Sequence, residues 1–242
     1  MLKLILARLR NRWVRSRLRG KELAPTVHEN LSALDHLKLN HKAKNLRYVI
    51  LDLETTGLSR SRDRVVSLSA VRMVDGRILM GDVFNSLVNP GREMPSATIK
   101  IHGIVPSMVD QAPTFDEVLD QFLLYLGTDI LVGYHVGFDL GFLNSCMKRK
   151  YGIRLQNLAL DVMPMCNKVI FPALLRKYAF RLKRDQGLDA MAAYFGIQIP
   201  ERHTAFGDAL ATAMIFQRIL TELEKRGPAN LLNLLHIAGA GK

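Results

Sequence analysis

The chain has 242 residues, 48% of them hydrophobic and 23% charged, enough for one sizeable core plus an appendage. No apolar run approaches the ~18 residues of a membrane span, and two cysteines, Cys146 and Cys166, are too few for a disulfide framework. The formal net charge of +12 falls to +4 once the eight basic residues of 1–21 are set aside, so basicity belongs mostly to an N-terminal arm. A cytoplasmic protein whose body tolerates a polyanionic partner is expected.

The arm, "MLKLILARLRNRWVRSRLRGKELAP", places Leu2, Ile5, Leu6, Leu9 and Trp13 at helical spacing with arginines between them. Arginines follow the apolar stretch at once, which makes a poor signal peptide. Three readings stay open: a helix packed on its own domain or a partner, a nucleic-acid contact, or an anionic-membrane contact. Residues 25–45 are polar and are expected to bridge to the main domain. Strands are expected at Arg47–Leu53, Arg64–Val74 and Arg77–Val88, with an Asp-Gly hairpin turn in "VDGR". A helix near Thr114–Leu126, a short strand at Ile130–Tyr134 and a helix over Phe138–Lys150 follow. Further helices are expected at Leu188–Phe195 and Ala205–Lys225, stopped by Gly196 and by Gly227-Pro228. Strands first, then strands interleaved with helices, imply an α/β domain with a mixed sheet. The expected boundaries are 1–45 for arm and linker, 46–226 for the domain and 227–242 for a short tail.

Carboxylates stand at the ends of these elements. In "YVILDLETTGL" the alternation puts Tyr48, Ile50, Asp52 and Glu54 on one face, the two acids about 6.5–7 Å apart at Cβ. An Asp-x-Glu pair is common by chance; its place at the carboxyl end of an apolar strand is what informs, because a buried charge costs several kcal/mol unless paired. Thr55, Thr56 and Gly57 then turn the chain, offering N–H groups and hydroxyls to a ligand. In "ILVGYHVGFDLGFL", Asp139 falls in the first turn of a helix, where a purely structural acid at the dipole is the plain alternative. In "RHTAFGDALATA", Thr204 is a candidate N-cap, Asp208 lies in the first turn, and His203 lies just outside it. Taken together, four carboxylates and one imidazole suit hard cations, Mg²⁺ or Mn²⁺, and a pair of ions about 3.5–4 Å apart would relieve their repulsion.

The ordered set "DLETTGL", "VGYHVGFD" and "RHTAFGDALATA", with "LVNPGREMPSATIKIHGI", resembles the DEDD 3′–5′ exonucleases of the histidine branch. The likeness is greatest to the proofreading (epsilon) subunit of bacterial DNA polymerase III and its stand-alone relatives, and covers about residues 46–225. It implies an RNase H-like fold with a mixed sheet flanked by helices. It implies that Asp52, Glu54, Asp139 and Asp208 bind two Mg²⁺ (or Mn²⁺) ions and that His203 is the general base. Thr55, Thr56, Gly57 and Leu58 with Ile101 and His102 would hold the terminal nucleotide of a single-stranded DNA 3′ end, Leu58 wedging against its base. RNA is the alternative polymer, and a nucleic-acid-binding or adaptor module without catalysis is the alternative class. Taken by itself, His102 is expected to be an ordinary polar surface residue. Two departures from relatives stand out: Tyr134-His135 where His-Asn is usual, and Ser67 where an acid is common. The extension lies at the N-terminus rather than as a long polymerase-binding tail. That favours a repair or processing nuclease over a replicative proofreader, although the arm or "ANLLNLL" in the tail could still dock a polymerase or another protein.

Overall fold

The computed structural model describes residues 2–20, 22–169, 187–199 and 201–238. Two helices lead, α1 (Leu2–Arg17) and α2 (Pro25–Ser32). A three-stranded antiparallel meander follows: β1 (Arg47–Thr55), β2 (Val65–Val74) and β3 (Arg77–Leu87). Next come α3 (Ser96–His102), α4 (Pro106–Val109) and α5 (Phe115–Leu126), then β4 (Ile130–Gly133), α6 (Gly137–Tyr151), β5 (Ala159–Asp161) and α7 (Val162–Val169). The described chain closes with α8 (Leu188–Tyr194), α9 (Ala205–Lys225) and α10 (Leu231–Ile237). The strand order is β3-β2-β1-β4-β5, with β4 parallel to β1 and β5 parallel to β4. The Asp-Gly turn between β2 and β3 has φ of 50° at Asp75 and 71° at Gly76, the pair of positive values a type I′ hairpin demands.

Alternation in β1 sorts its side chains into two cores. Tyr48 and Ile50 join Val71, Met73 and Val132 beneath Ile215, Phe216 and Ile219 of α9. Tyr48 meets Phe216 edge to face, ring centroids 4.9 Å apart. Val49, Leu51 and Leu53 face the other way, against Leu119 and Phe122 of α5 and Phe142 and Leu143 of α6. The centre of the sheet, β1, β2 and β4, is therefore buried on both sides, while edge strand β3 stays partly exposed. Helix starts follow local chemistry: Thr114 and Glu117 form a reciprocal capping box on α5, and Thr204 accepts the Gly207 N–H at 3.0 Å to cap α9.

The N-terminal region differs from expectation. Residues 25–45 are not merely a polar bridge: Val27 and Leu31 of α2, then Leu34, Leu37, Ala43 and Leu46, are buried. The face of α1 that packs inward carries Leu4, Ala7, Asn11 and Val14, not the stripe of Ile5, Leu6, Leu9 and Trp13, which points to solvent. Side chains fasten it. Asn11 donates to Leu31 O (3.0 Å) and Gln156 Oε1 (3.3 Å), Arg8 reaches the Leu34 and Leu37 carbonyls, and Arg15 pairs with Asp35 at 2.7 Å. Gln156 N–H donates to Asn30 Oδ1 (3.1 Å), and Asn157 donates to the carbonyls of Gly127 and Asp129 just before β4. At the other terminus "ANLLNLL" is used by this chain's own core: Leu231, Leu234 and Leu235 of α10 are buried, and the N–H groups of Leu231 and Leu232 donate to His41 O and Leu39 O. Short elements such as β5 and α3 give too few residues for a period to show, and the sequence reading passes over them.

Candidate active site

β1 carries Asp52 and Glu54 on the α9 face, one and two pleats beyond Ile50, where the sheet's apolar packing gives out. Their antiparallel partners across β2 are Ser69 and Ser67, small hydroxyl residues that leave the carboxylates room. The Ser69 hydroxyl continues the polar strip to Asn85 Oδ1 of β3 at 2.6 Å. The register shifts between Glu54 and Thr55, where Thr55 takes up Val65 as its partner. α9 delivers its first turn to the same corner, and Asp208 arrives with it. Carboxylate oxygens of Asp52, Glu54 and Asp208 lie within 4.8 Å of one another.

Asp139 lies in the first turn of α6, 3% exposed, and accepts backbone N–H groups, Leu53's among them. It stands outside that three-carboxylate group yet acts on Asp52 through space. Burial, then repulsion from Asp139, Asp208 and Glu54, holds the Asp52 carboxyl well above the usual carboxylate range. Burial and Asp208 push Glu54 up to about 8. Burial, with Asp161 and Glu54 adding, takes Asp139 to about 8 against the pull of its N–H donors. Asp208 is also raised by burial, with Arg202 opposing. The corner thus favours protonated carboxyls until a cation is supplied to take the place of the protons.

Arg202 supplies the cation that faces it. Its guanidinium pairs with Asp208 Oδ2 and with Asp189 of α8, at 2.5 Å from Nε to Oδ1. Asp208 Oδ1 is buried without a partner among the described residues. One guanidinium against four carboxylates leaves a deficit that a hard divalent ion fits, in an all-oxygen donor set with an orphaned buried oxygen aimed inward. His203 stands exposed on the loop before Thr204 with φ of +63°, close enough to favour the ionised Asp208. Neighbouring Glu201 has φ of +53°, so the loop enters α9 through two positive-φ residues that are not glycine.

The turn after β1 is built differently from expectation. The Thr55 hydroxyl donates to Gly57 O (2.7 Å), and the Thr56 hydroxyl accepts the Arg64 N–H (3.0 Å), so both shape the loop instead of standing free for a ligand. Asp63 accepts the Ser59 N–H at 2.8 Å, and a Cβ at Gly57 would come within 2.6 Å of its Oδ2. Leu58 at the tip is 84% exposed. Ile101 is exposed as well, but His102 is not the surface residue its type suggests: it is 6% exposed, its Nδ1 accepts the Ile104 N–H at 3.1 Å, and its Nε2 has no partner among the described residues. Burial lowers its pKa. The adjoining Ile104 packs with Val66 at the start of β2, which sets α3 beside the carboxylate end of β1. At the departure Tyr134-His135, His135 has φ of +57° and its N–H donates to Asp161 Oδ1 at 3.1 Å. Arg202, Asp161 and Asp63 were not singled out in the sequence. Arg202 abuts His203 in "RHTAFGD" and was the most legible of the three.

The exonuclease family, RNase_T, matches residues 49–216. The chain belongs to the exonuclease (RNase_T) family. The DNA polymerase III subunit epsilon of Aquifex aeolicus (strain VF5) is 35% identical over 187 residues, 77% of this chain and 87% of that protein. The DNA polymerase III subunit epsilon-like protein of Rhodobacter capsulatus is 40% identical over 185 residues, 75% of this chain, but the chain spans only 25% of that relative's length. Among solved structures, Exonuclease X in complex with 5′ overhanging duplex DNA matches with a TM-score of 0.59 and 21% identity, covering 80% of this chain and 99% of that one. That likeness speaks for the fold, the mixed five-stranded RNase H-like sheet of exonucleases.

Proposed function

We propose that this exonuclease removes nucleotides from the 3′ ends of single-stranded DNA, releasing nucleoside 5′-monophosphates. The observation that carries this reading is the convergence of Asp52, Glu54 and Asp208 within 4.8 Å at the end of β1, with Asp139 and His203 alongside. These carboxylates would hold two divalent ions, Mg²⁺ or Mn²⁺. Bound there, the ions would supply the positive charge that the attacking and leaving oxygens of a phosphodiester need. The chain's own residues do the rest. His203, an exposed imidazole on the loop beside Asp208, takes the proton of the attacking water. The new P–O bond forms as the bond to the 3′ oxygen breaks, leaving a strand one nucleotide shorter. Leu58 and Ile101, both exposed apolar side chains, would stack on the terminal base, and the Asp63-braced loop would hold Leu58 for it. The two unpaired buried cysteines fit a reducing, cytoplasmic setting.

The test is a gel assay of 5′-labelled single-stranded DNA and RNA with Mg²⁺, comparing wild type with Asp52→Ala and His203→Ala. A shortening ladder is expected on DNA, abolished by Asp52→Ala and slowed about 10²–10⁴-fold by His203→Ala. A faster ladder on RNA would move the assignment to an exoribonuclease. Binding without any ladder, or a ladder indifferent to Asp52→Ala, would leave a nucleic-acid-binding module.

A further inference from the structure

α1 is apolar on two opposite faces. At 100° per residue, Leu4, Ala7, Asn11 and Val14 centre on one direction, and Ile5, Leu6, Leu9 and Trp13 on another about 180° away. The first face is packed and tied by the Asn11, Arg8 and Arg15 hydrogen bonds described above. The second is 43%, 54%, 55% and 62% exposed at Ile5, Leu6, Leu9 and Trp13, a contiguous stripe of large side chains that a soluble surface does not favour. Its edges are cationic: Arg12 borders one side, Arg10 and Arg17 the other, and the Arg17 guanidinium sits 5.5 Å from the Trp13 ring centroid. No acidic residue occurs in 1–21. Asp35 is already engaged by Arg15 on the inner side.

We propose that α1 docks on an anionic lipid bilayer, the outward stripe entering the acyl boundary and the flanking arginines meeting headgroup phosphates. Charge and chemistry select this occupant. A row of Ile, Leu and Trp with arginines on both margins is the form of an interfacial helix, the indole favouring the boundary itself. A polynucleotide would satisfy the arginines and leave the leucines in water. The position suits the role. α1 is fastened to Gln156, and Asn157 beside it to the residues before β4, so α1 sits at the end of the sheet where β1 and β4 begin. The carboxylates lie at the other end of β1, roughly 25 Å away, so a bilayer at α1 leaves the nuclease cleft facing bulk solvent.

Trp13 is the only tryptophan in the chain, so its emission reports this contact alone. The full chain would be mixed with vesicles of phosphatidylcholine alone and of phosphatidylcholine with phosphatidylglycerol, following Trp13 emission and co-sedimentation. A blue shift and sedimentation with the anionic vesicles only are expected. The pairs Leu6→Asn with Leu9→Asn, and the set Arg10→Gln, Arg12→Gln and Arg17→Gln, should each weaken partitioning at least about tenfold. All five residues are exposed at the outward face or its margins, so melting temperatures should match wild type. Absence of partitioning overturns the proposal, as does partitioning that survives Leu6→Asn with Leu9→Asn. A Trp13 shift with an oligonucleotide and none with vesicles would overturn it in favour of nucleic acid.

Discussion

Asp63 shows how a residue outside the carboxylate corner controls it. It receives the Ser59 N–H, and its carboxylate fills the space that any side chain at position 57 would need. Asp63→Ala is expected to leave a backbone donor unpaired, cost about 1–3 kcal/mol and raise KM for oligonucleotides more than it lowers kcat. Gly57→Ala should do the same by collision. Melting curves with steady-state kinetics check both, and an unchanged KM would mean the loop does not hold the nucleotide. Glu54 gives a pH signature. Its folded-state value is raised from 4.5 to about 8, so the folded, metal-free protein binds that proton more tightly than the unfolded chain does. The stability so contributed is complete below 4.5 and lost as pH rises through about 8. The melting temperature in chelator should fall across that window, and Mg²⁺ should raise it more at the alkaline end. Equal Mg²⁺ shifts at both ends would contradict the corner's role as the cation site. Asp52, Glu54 and Asp208 were legible because element ends can be read from a sequence. The Arg202 bridge and the buried state of His102 depend on which loops meet, and no local pattern encodes that.

At the scale of elements, α9 positions two residues of the candidate site from one start. Thr204 fixes the first turn through Gly207, and Asp208 and His203 lie on either side of that cap. Thr204→Ala is expected to cost about 1 kcal/mol in stability, as N-cap losses do, and to reduce kcat beyond what that loss explains, with Thr204→Ser restoring both. Circular dichroism melts and turnover measured on the three proteins separate the two effects. The long periodic elements, β1 to β3, α5, α6 and α9, could be placed from alternation, capping residues and the Asp-Gly turn. β5, three residues long, and α7 directly behind it could not, because so short a run carries neither period. The direction of α1 was ambiguous for a different reason. With apolar residues on both faces, spacing alone leaves the inward face open, and Asn11, Arg8 and Arg15 fasten the one that packs.

Across the whole molecule, polar chemistry is split between the two ends of the sheet. The carboxylates stand where β1 ends. Where it begins, Arg47 and the buried Arg72 both pair with Asp129, Arg72 also meeting Asp82 at 2.6 Å and lying over the Tyr125 ring. Arg72→Ala would strand Asp129 in the interior and is expected to cost about 3–5 kcal/mol, whereas Arg72→Met, which keeps the packing, should cost less. Denaturant titration gives both values. Activity per folded molecule should stay at the wild-type level in each, since this seam is remote from the cleft.

The segment 37–43 has a part that its modest length hides. α1 reaches it through Arg8 at the Leu37 carbonyl, and α10 through the N–H groups of Leu231 and Leu232 at His41 and Leu39. Both ends of the described chain thus close on one clasp, and Leu4 and Leu231 enter the same core. Joined by a linker, those ends would make a continuous loop, and the chain could be reopened between Asp75 and Gly76, at the hairpin tip. Such a circular permutant keeps every strand neighbour and all four carboxylates while reversing which half of the sheet leaves the ribosome first.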